Sequence, residues 1–127
     1  MNIRVGRVTN VYPSEGKVKV LYEDTDNVSM PLSLLTMNNE YSMPEVGDRV
    51  LTLHMPNGSS KGFVLGTYYG GSNKPLADDG YRKDFGRGAY ISRTKEGAIT
   101  IHSENDITLS CASGSITLSE IIEKLKS

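Results

Sequence analysis

The stretch AITIHSENDITLSCASGSITLS, residues 98–119, contains nearly the same pattern three times. Ile99-Thr100-Ile101, Ile107-Thr108-Leu109 and Ile116-Thr117-Leu118 each read Ile, Thr, then Ile or Leu, and they start 8 and then 9 residues apart. An internal repeat of this kind predicts the fold of the whole region rather than one secondary-structure element. Each unit has room for one short strand and one tight turn, so the repeat predicts a succession of short β-strands.

The first and third residues of each unit form one apolar stripe, because residues two apart in a strand point to the same face. Tyr90-Ile91-Ser92-Arg93 falls in the same frame and extends the repeat toward the N-terminus. A meander this short cannot bury its own stripe and leaves open edges. We therefore predict a homotrimer, an intertwined β-helix or prism with a core of Ile91, Ile99, Ile101, Ile107, Leu109, Cys111, Ile116 and Leu118.

The hydrophobic period changes after Leu118, where a short helix is predicted over residues 119–127. Ser119 is the expected N-cap, Glu120 lies in the first turn and lysines lie in the last turn. One face of this helix would carry Ile121, Ile122 and Leu125. These side chains could pack together in the trimer and close its end, or they could dock a separate tip protein.

The N-terminal half has the sequence pattern of a small β-barrel. Residues 17–22 alternate polar and apolar side chains, which is typical of a half-buried strand, and residues 13–16 form a turn. Five such strands are predicted between residues 3 and 69, with a hairpin turn at residues 56–60. Five strands at this spacing favour an OB-like barrel.

These patterns predict an all-β protein with one short C-terminal helix and four segments. They are an OB-fold domain, a linker, the trimeric β-helix of roughly 8-residue repeats, and the helix, at residues 1–70, 71–88, 89–118 and 119–127.

Composition and charge argue against several classes of protein. The 127 residues carry a formal net charge of -1, and residues 1–70 hold six Lys or Arg against seven Asp or Glu. An OB-fold that binds nucleic acid, the alternative function, would need a basic groove. The charged, alternating N-terminus is unlike a signal peptide, and we expect no stable insertion in a membrane.

Candidate catalytic and metal-binding residues are few. Cys111 is the single cysteine, and His54 and His102 lie far apart in the sequence. Both histidines are interpreted as solvated or hydrogen-bonded strand residues, and Cys111 as a buried small hydrophobe. We predict that the protein is not an enzyme and has no catalytic residues, metal site or cofactor.

The sequence resembles the baseplate assembly protein V family, the central spike proteins of contractile phage tails, which are related to the spikes of type VI secretion systems and bacteriocins. The resemblance rests on five segments: residues 5–11, 16–20, 44–50, 62–69 and 73–75. It implies an OB-fold domain, a rigid trimeric needle for envelope penetration, and partners among the hub and tube proteins of the tail. It also implies synthesis in the bacterial cytoplasm and assembly into a baseplate.

The sequence departs from that family in two respects. Many members end in a His-x-His tip that binds iron on the three-fold axis, whereas His102 is followed by Ser103 and Glu104. Some members carry a lysozyme domain, for which this chain has no spare length. The type of particle, whether phage, bacteriocin or secretion system, stays open, as do the identity of any tip protein and whether His102 binds an axial ion.

Overall fold

A computed structural model describes residues 2–56, 61–71 and 73–127. The chain divides into two compact units, Met1–Lys74 and Pro75–Ser127. The predicted hairpin turn at residues 56–60 lies largely outside the described residues.

The first unit is a closed five-stranded β-barrel. Its strands are β1 (Asn2–Tyr12), β2 (Lys17–Tyr22), β3 (Asn27–Val28), β4 (Leu32–Leu34), β5 (Arg49–His54) and β6 (Gly62–Thr67). Strands β1, β5, β6, β4 and β2 follow one another around the barrel, and β1 pairs with β2 to close it. Strands β4 and β6 run parallel, whereas the other barrel pairs are antiparallel, and the two-residue strand β3 pairs with the end of β2. This order is consistent with an OB-fold.

Side-chain alternation explains how these strands form a barrel. In β2 the residues at 18, 20 and 22 are buried and those at 17, 19 and 21 are less so, as the sequence pattern predicts. The buried apolar core consists of Val8, Val18, Val20, Tyr22, Leu32, Val50 and Val64. Gly6 is required in β1 because a Cβ there would lie 2.7 Å from the Leu21 carbonyl oxygen and would overlap Val20.

The second unit contains two small antiparallel sheets and one helix. The elements are β7 (Tyr81–Gly86), β8 (Ala89–Arg93), β9 (Ile99–His102), β10 (Thr108–Cys111), β11 (Gly114–Thr117) and α1 (Leu118–Lys126). Strands β7, β8 and β9 form a three-stranded meander, and β10 and β11 form a hairpin. The repeats therefore form short strands, which pair within the chain.

Strand β7 differs from the sequence prediction, because Tyr81–Gly86 lie in the stretch predicted as linker. The residues of β7 pair with β8 from Tyr81↔Arg93 to Gly86↔Ala89. Arg82 also stacks on Tyr90, with its guanidinium carbon 3.8 Å from the ring centroid. Strand pairing and this cation–π contact stabilise a segment that its charged, Gly-rich sequence does not favour as a strand.

Helix α1 begins one residue earlier than predicted, and Ser119 is not its N-cap. Thr117 is the N-cap: its side chain accepts a hydrogen bond from the Glu120 backbone N–H, while the Glu120 carboxylate accepts one from the Thr117 N–H. This reciprocal capping box satisfies two backbone donors at the helix start. Ser119 instead donates its hydroxyl to Asp106 at 2.6 Å, and this bond is the main reason that the pKa of Asp106 is lowered.

Candidate functional site

The predicted core residues of the meander lie on one face of its sheet. Ile91 is directly opposite Ile101 in the antiparallel pairing, and Arg93 is opposite Ile99, so these four side chains share that face. Ile99 is 72% exposed and Ile101 is 61% exposed in the single chain, while Ile91 is half-buried. The face therefore carries two largely exposed isoleucines, with the cationic side chains of Arg93 and Lys83 beside them.

The other face of the same sheet is covered by its own side chains. Arg82 lies over the Tyr90 ring, and Tyr90 stacks on His102 with 5.1 Å between ring centroids. His102 Nε2 is 2.7 Å from a Glu104 carboxylate oxygen, and Arg82 forms a 3.0 Å ion pair with Asp84. This polar stack consists of paired, mutually shielding groups. On the opposite face, Ile99 and Ile101 are left largely exposed.

The hairpin repeats the arrangement. Leu109 is opposite Ile116, and Cys111 is opposite Gly114, so the predicted core side chains again share one face. Leu109 is 63% exposed and Cys111 is exposed, while Ile116 is half-buried. Ile107 and Leu118 flank this pair and are joined by a 2.7 Å bond from the Leu118 N–H to the Ile107 carbonyl. In the single chain, Cys111 is thus an exposed thiol on an apolar face.

Helix α1 carries the predicted docking residues in different degrees of exposure. Ile121 is half-buried, whereas Ile122 and especially Leu125 are exposed. None of the helix residues is fully buried in the single chain. The helix therefore presents an apolar surface of its own at the C-terminal end.

The two histidines have polar partners. His102 lies on the polar-stack face, opposite to Ile101, because adjacent strand residues point to opposite faces. His54 is buried in the barrel, where its Nε2 contacts the Tyr22 hydroxyl. Within residues 2–56, 61–71 and 73–127, no group of three or more His, Cys, Asp or Glu side chains is arranged to hold a metal ion.

Tyr22, Thr52 and His54 form a directed hydrogen-bond chain inside the barrel. Thr52 donates its hydroxyl to the Arg4 carbonyl oxygen at 3.1 Å, so its oxygen accepts from the Tyr22 hydroxyl at 2.9 Å. The Tyr22 oxygen then accepts from His54 Nε2, which assigns the His54 proton to that nitrogen. Every buried side-chain polar atom in the described part of the chain has a partner. The trio is therefore a satisfied structural network.

We expect Tyr22→Phe to destabilise the barrel by about 1–3 kcal/mol, because Thr52 and His54 would lose their shared partner inside the core. Urea unfolding measures this loss. The contribution of Tyr22 to stability also depends on pH. Burial raises the pKa of Tyr22 in the folded chain, so the contribution of its neutral phenol is present below about pH 10 and is lost as the pH rises through the raised pKa. Tyr41→Phe is the control: Tyr41 is exposed, and a change within about 0.5 kcal/mol is expected. Equal losses in both variants would contradict a structural role for the trio.

An open groove of about 600 Å³ lies beside this trio and is lined in part by Asn2, Arg4, Asn27 and Met30. Arg4, which could serve an anionic ligand, stacks over the Tyr22 ring and pairs with Asp24 at 2.8 Å. The guanidinium of Arg4 is therefore already paired within the chain, which does not favour the groove as a phosphate-binding surface.

No known protein family and no curated protein matches the chain. Among the described residues, no helix is long and apolar enough to cross a membrane. The class of protein is therefore inferred from the fold and its exposed faces.

Proposed function

We propose that the protein is the subunit of a homotrimeric central spike, in which the apolar stripe of the repeat unit is buried between three copies of the chain. One observation carries the proposal: the sheet of β7, β8 and β9 covers one face with its own polar stack and leaves Ile99 and Ile101 exposed on the other. Full burial of an Ile or Leu side chain contributes roughly 1.5–3 kcal/mol to the free energy of assembly. The seven Ile and Leu residues of the predicted core therefore contribute on the order of 10 kcal/mol in each chain.

Identical chains fit this stripe better than an unrelated partner, because the stripe follows a repeat along the chain. Its apolar pairs, Ile91 with Ile101 and Leu109 with Ile116, recur along the unit. Three copies around one axis bring equivalent pairs together at each level, as in a closed cyclic oligomer. In this arrangement the stripe forms the trimeric β-helix or prism that the repeat predicts.

The position of a barrel before such a stripe supports the spike class in particular. The order of a five-stranded barrel followed by short repeated strands agrees with the family that the sequence resembles. In the proposed particle, a contractile tail or a related injection device, the trimer forms a rigid needle for envelope penetration. Tail hub and tube proteins would bind on the barrel side, after synthesis in the bacterial cytoplasm.

Helix α1 closes the proposed needle. The exposed Ile122 and Leu125 pack against the same residues of the other two copies or form the seat for a tip protein. His102 lies on the face opposite to Ile101, so this trimer places it away from the three-fold axis. The proposed needle therefore has an apolar helical end and no axial metal.

The test of this proposal is the mass in solution. Light scattering of the full chain across a hundredfold dilution is expected to give three times the 13.9 kDa chain mass. A chain that ends at Leu118 is the matched control and is expected to remain trimeric, because the stripe is intact. A monomeric full chain would overturn the proposal. A trimer that depends on residues 119–127 would show that the helix, and not the stripe, joins the copies.

A further inference from the structure

A second apolar surface lies on the outside of the barrel, and we define the outer wall as Ile3, Val5, Leu51, Leu53 and Phe63. The strand register places these residues side by side: Ile3 is opposite Leu53, Val5 is opposite Leu51, and Leu53 is opposite Phe63. Ile3 is 65%, Val5 is 54% and Phe63 is 40% exposed, while Leu51 and Leu53 are half-buried. The wall is one patch across three adjacent strands.

These residues point away from the barrel core. Their neighbours in the same strands, Gly6, Val50, Thr52 and Val64, are the buried ones, and successive side chains alternate between the two faces. Strand β2 shows the usual arrangement for a barrel, with Lys17 and Lys19 on its less buried face. Strands β1, β5 and β6 are thus apolar on the outer side at these five positions, as in strands that are covered on both faces, and the charged Arg7 and Arg49 border the patch beyond Val5 and Leu51.

We propose that the outer wall packs against the outer walls of the other copies of this chain, so that the copies contact one another through their barrels as well as through the stripe. This inference rests on the proposed trimer. The wall interface has an apolar centre and no charged side chain among its five defining residues.

The size of the wall supports a second copy as its occupant. Five side chains of this size and exposure present on the order of 300 Å², within the range of the largest patches on ordinary monomers. A stable complex between free partners buries about 800 Å² on each side, so the wall alone is too small to hold one. Copies already joined through the stripe face each other at an effective concentration in the millimolar range. Under that condition a patch of this size is sufficient.

Photo-crosslinking of the full-length protein tests the inference. The residue p-benzoylphenylalanine replaces Phe63 in one sample, and in the control it replaces Tyr41, an exposed aromatic residue in the loop between β4 and β5. Light gives chain-to-chain products from position 63, and peptide mapping places the second end within residues 1–74 of another copy. Position 41 gives few such products.

A pair of matched substitutions strengthens this experiment. Val5→Lys introduces a charge at the wall, and Val28→Lys introduces the same charge at an equally exposed valine on β3, outside the wall. Val5→Lys lowers the crosslink yield from position 63 by about tenfold or more, because the lysines must be desolvated, while Val28→Lys leaves it unchanged. Both variants remain trimeric by light scattering, because the stripe is unaltered.

The outcomes separate this inference from the proposed function. An intact trimer without chain-to-chain products from position 63, or with equal yields from positions 63 and 41, overturns the wall contact and leaves the spike proposal standing. An unchanged yield in Val5→Lys also overturns the wall contact. A monomeric mass overturns the spike proposal and the wall contact together.

Discussion

Ile101→Asp is expected to convert the trimer into monomers at micromolar concentration. In the proposed assembly Ile101 of each copy faces the three-fold axis. Ile101→Asp would therefore bring three carboxylates together without partners. An uncompensated buried charge costs about 3–5 kcal/mol in each chain. For three chains the total is about 9–15 kcal/mol, so the association constant falls by about six to eleven powers of ten, since each 1.4 kcal/mol is a factor of ten. Light scattering or sedimentation measures the change.

The control for this variant is Thr100→Asp, one residue earlier on the opposite face of β9. Thr100 pairs with Ser92 and is exposed, so the carboxylate of an aspartate at position 100 stays in water and the trimer should persist. The comparison is sharp because Ile101 is itself exposed in the single chain. If the chain acts alone, an aspartate at position 101 costs nothing. Two variants of equal mass and equal thermal stability would show that the Ile101 face is not an interface.

The Cys111 thiol is expected to react with a thiol reagent at least about a hundredfold more slowly in the native protein than in the unfolded chain. In the single chain this thiol is exposed, so its slow reaction can come only from cover by other copies. A hundredfold protection corresponds to an opening free energy of about 2.7 kcal/mol. The absorbance of the released chromophore gives both rates.

A relocated thiol provides the control for the cysteine experiment. Ser110→Cys, made together with Cys111→Ser, moves the thiol to the opposite face of β10, where Ser110 pairs with Ser115. This thiol should react almost as fast as in the unfolded chain. Equal rates at positions 110 and 111 would place both faces of the hairpin in water and would count against a buried stripe.

The barrel was predictable from the sequence because local signals and the final pairing agree. Residues 17–22 alternate as a strand must, and Gly16 adopts φ +65 after the short 3₁₀ turn at Pro13–Glu15. The outer wall was missed for a physical reason. A continuous apolar run such as residues 62–65 indicates a strand that is buried on both faces. The sequence of one chain does not show which surface packs against the outer face.

The second unit shows where local patterns are insufficient. The repeats predicted a short strand at each unit, although Ile107 lies just before β10 and Leu118 is the first residue of helix α1 rather than part of a strand. Strand β7 depends on pairing with β8 and on the contact between Arg82 and Tyr90, neither of which local composition reveals. The N-cap could have been found: Thr117 and Glu120 form a T-x-x-E capping box, a stronger signal than the serine at 119.

The order of strands in the meander of β7, β8 and β9 affects how a newly synthesised chain aggregates before it assembles. Strands β7 and β9 are the outer strands of that sheet among the described residues, and outer strands with apolar side chains are templates for runaway aggregation. If the chain forms the proposed trimer, assembly with two other copies therefore competes kinetically with aggregation of the free chain. The charged Arg82, Asp84 and Glu104 on the other face act as gatekeepers in that competition, because they oppose stacking of one sheet on the next.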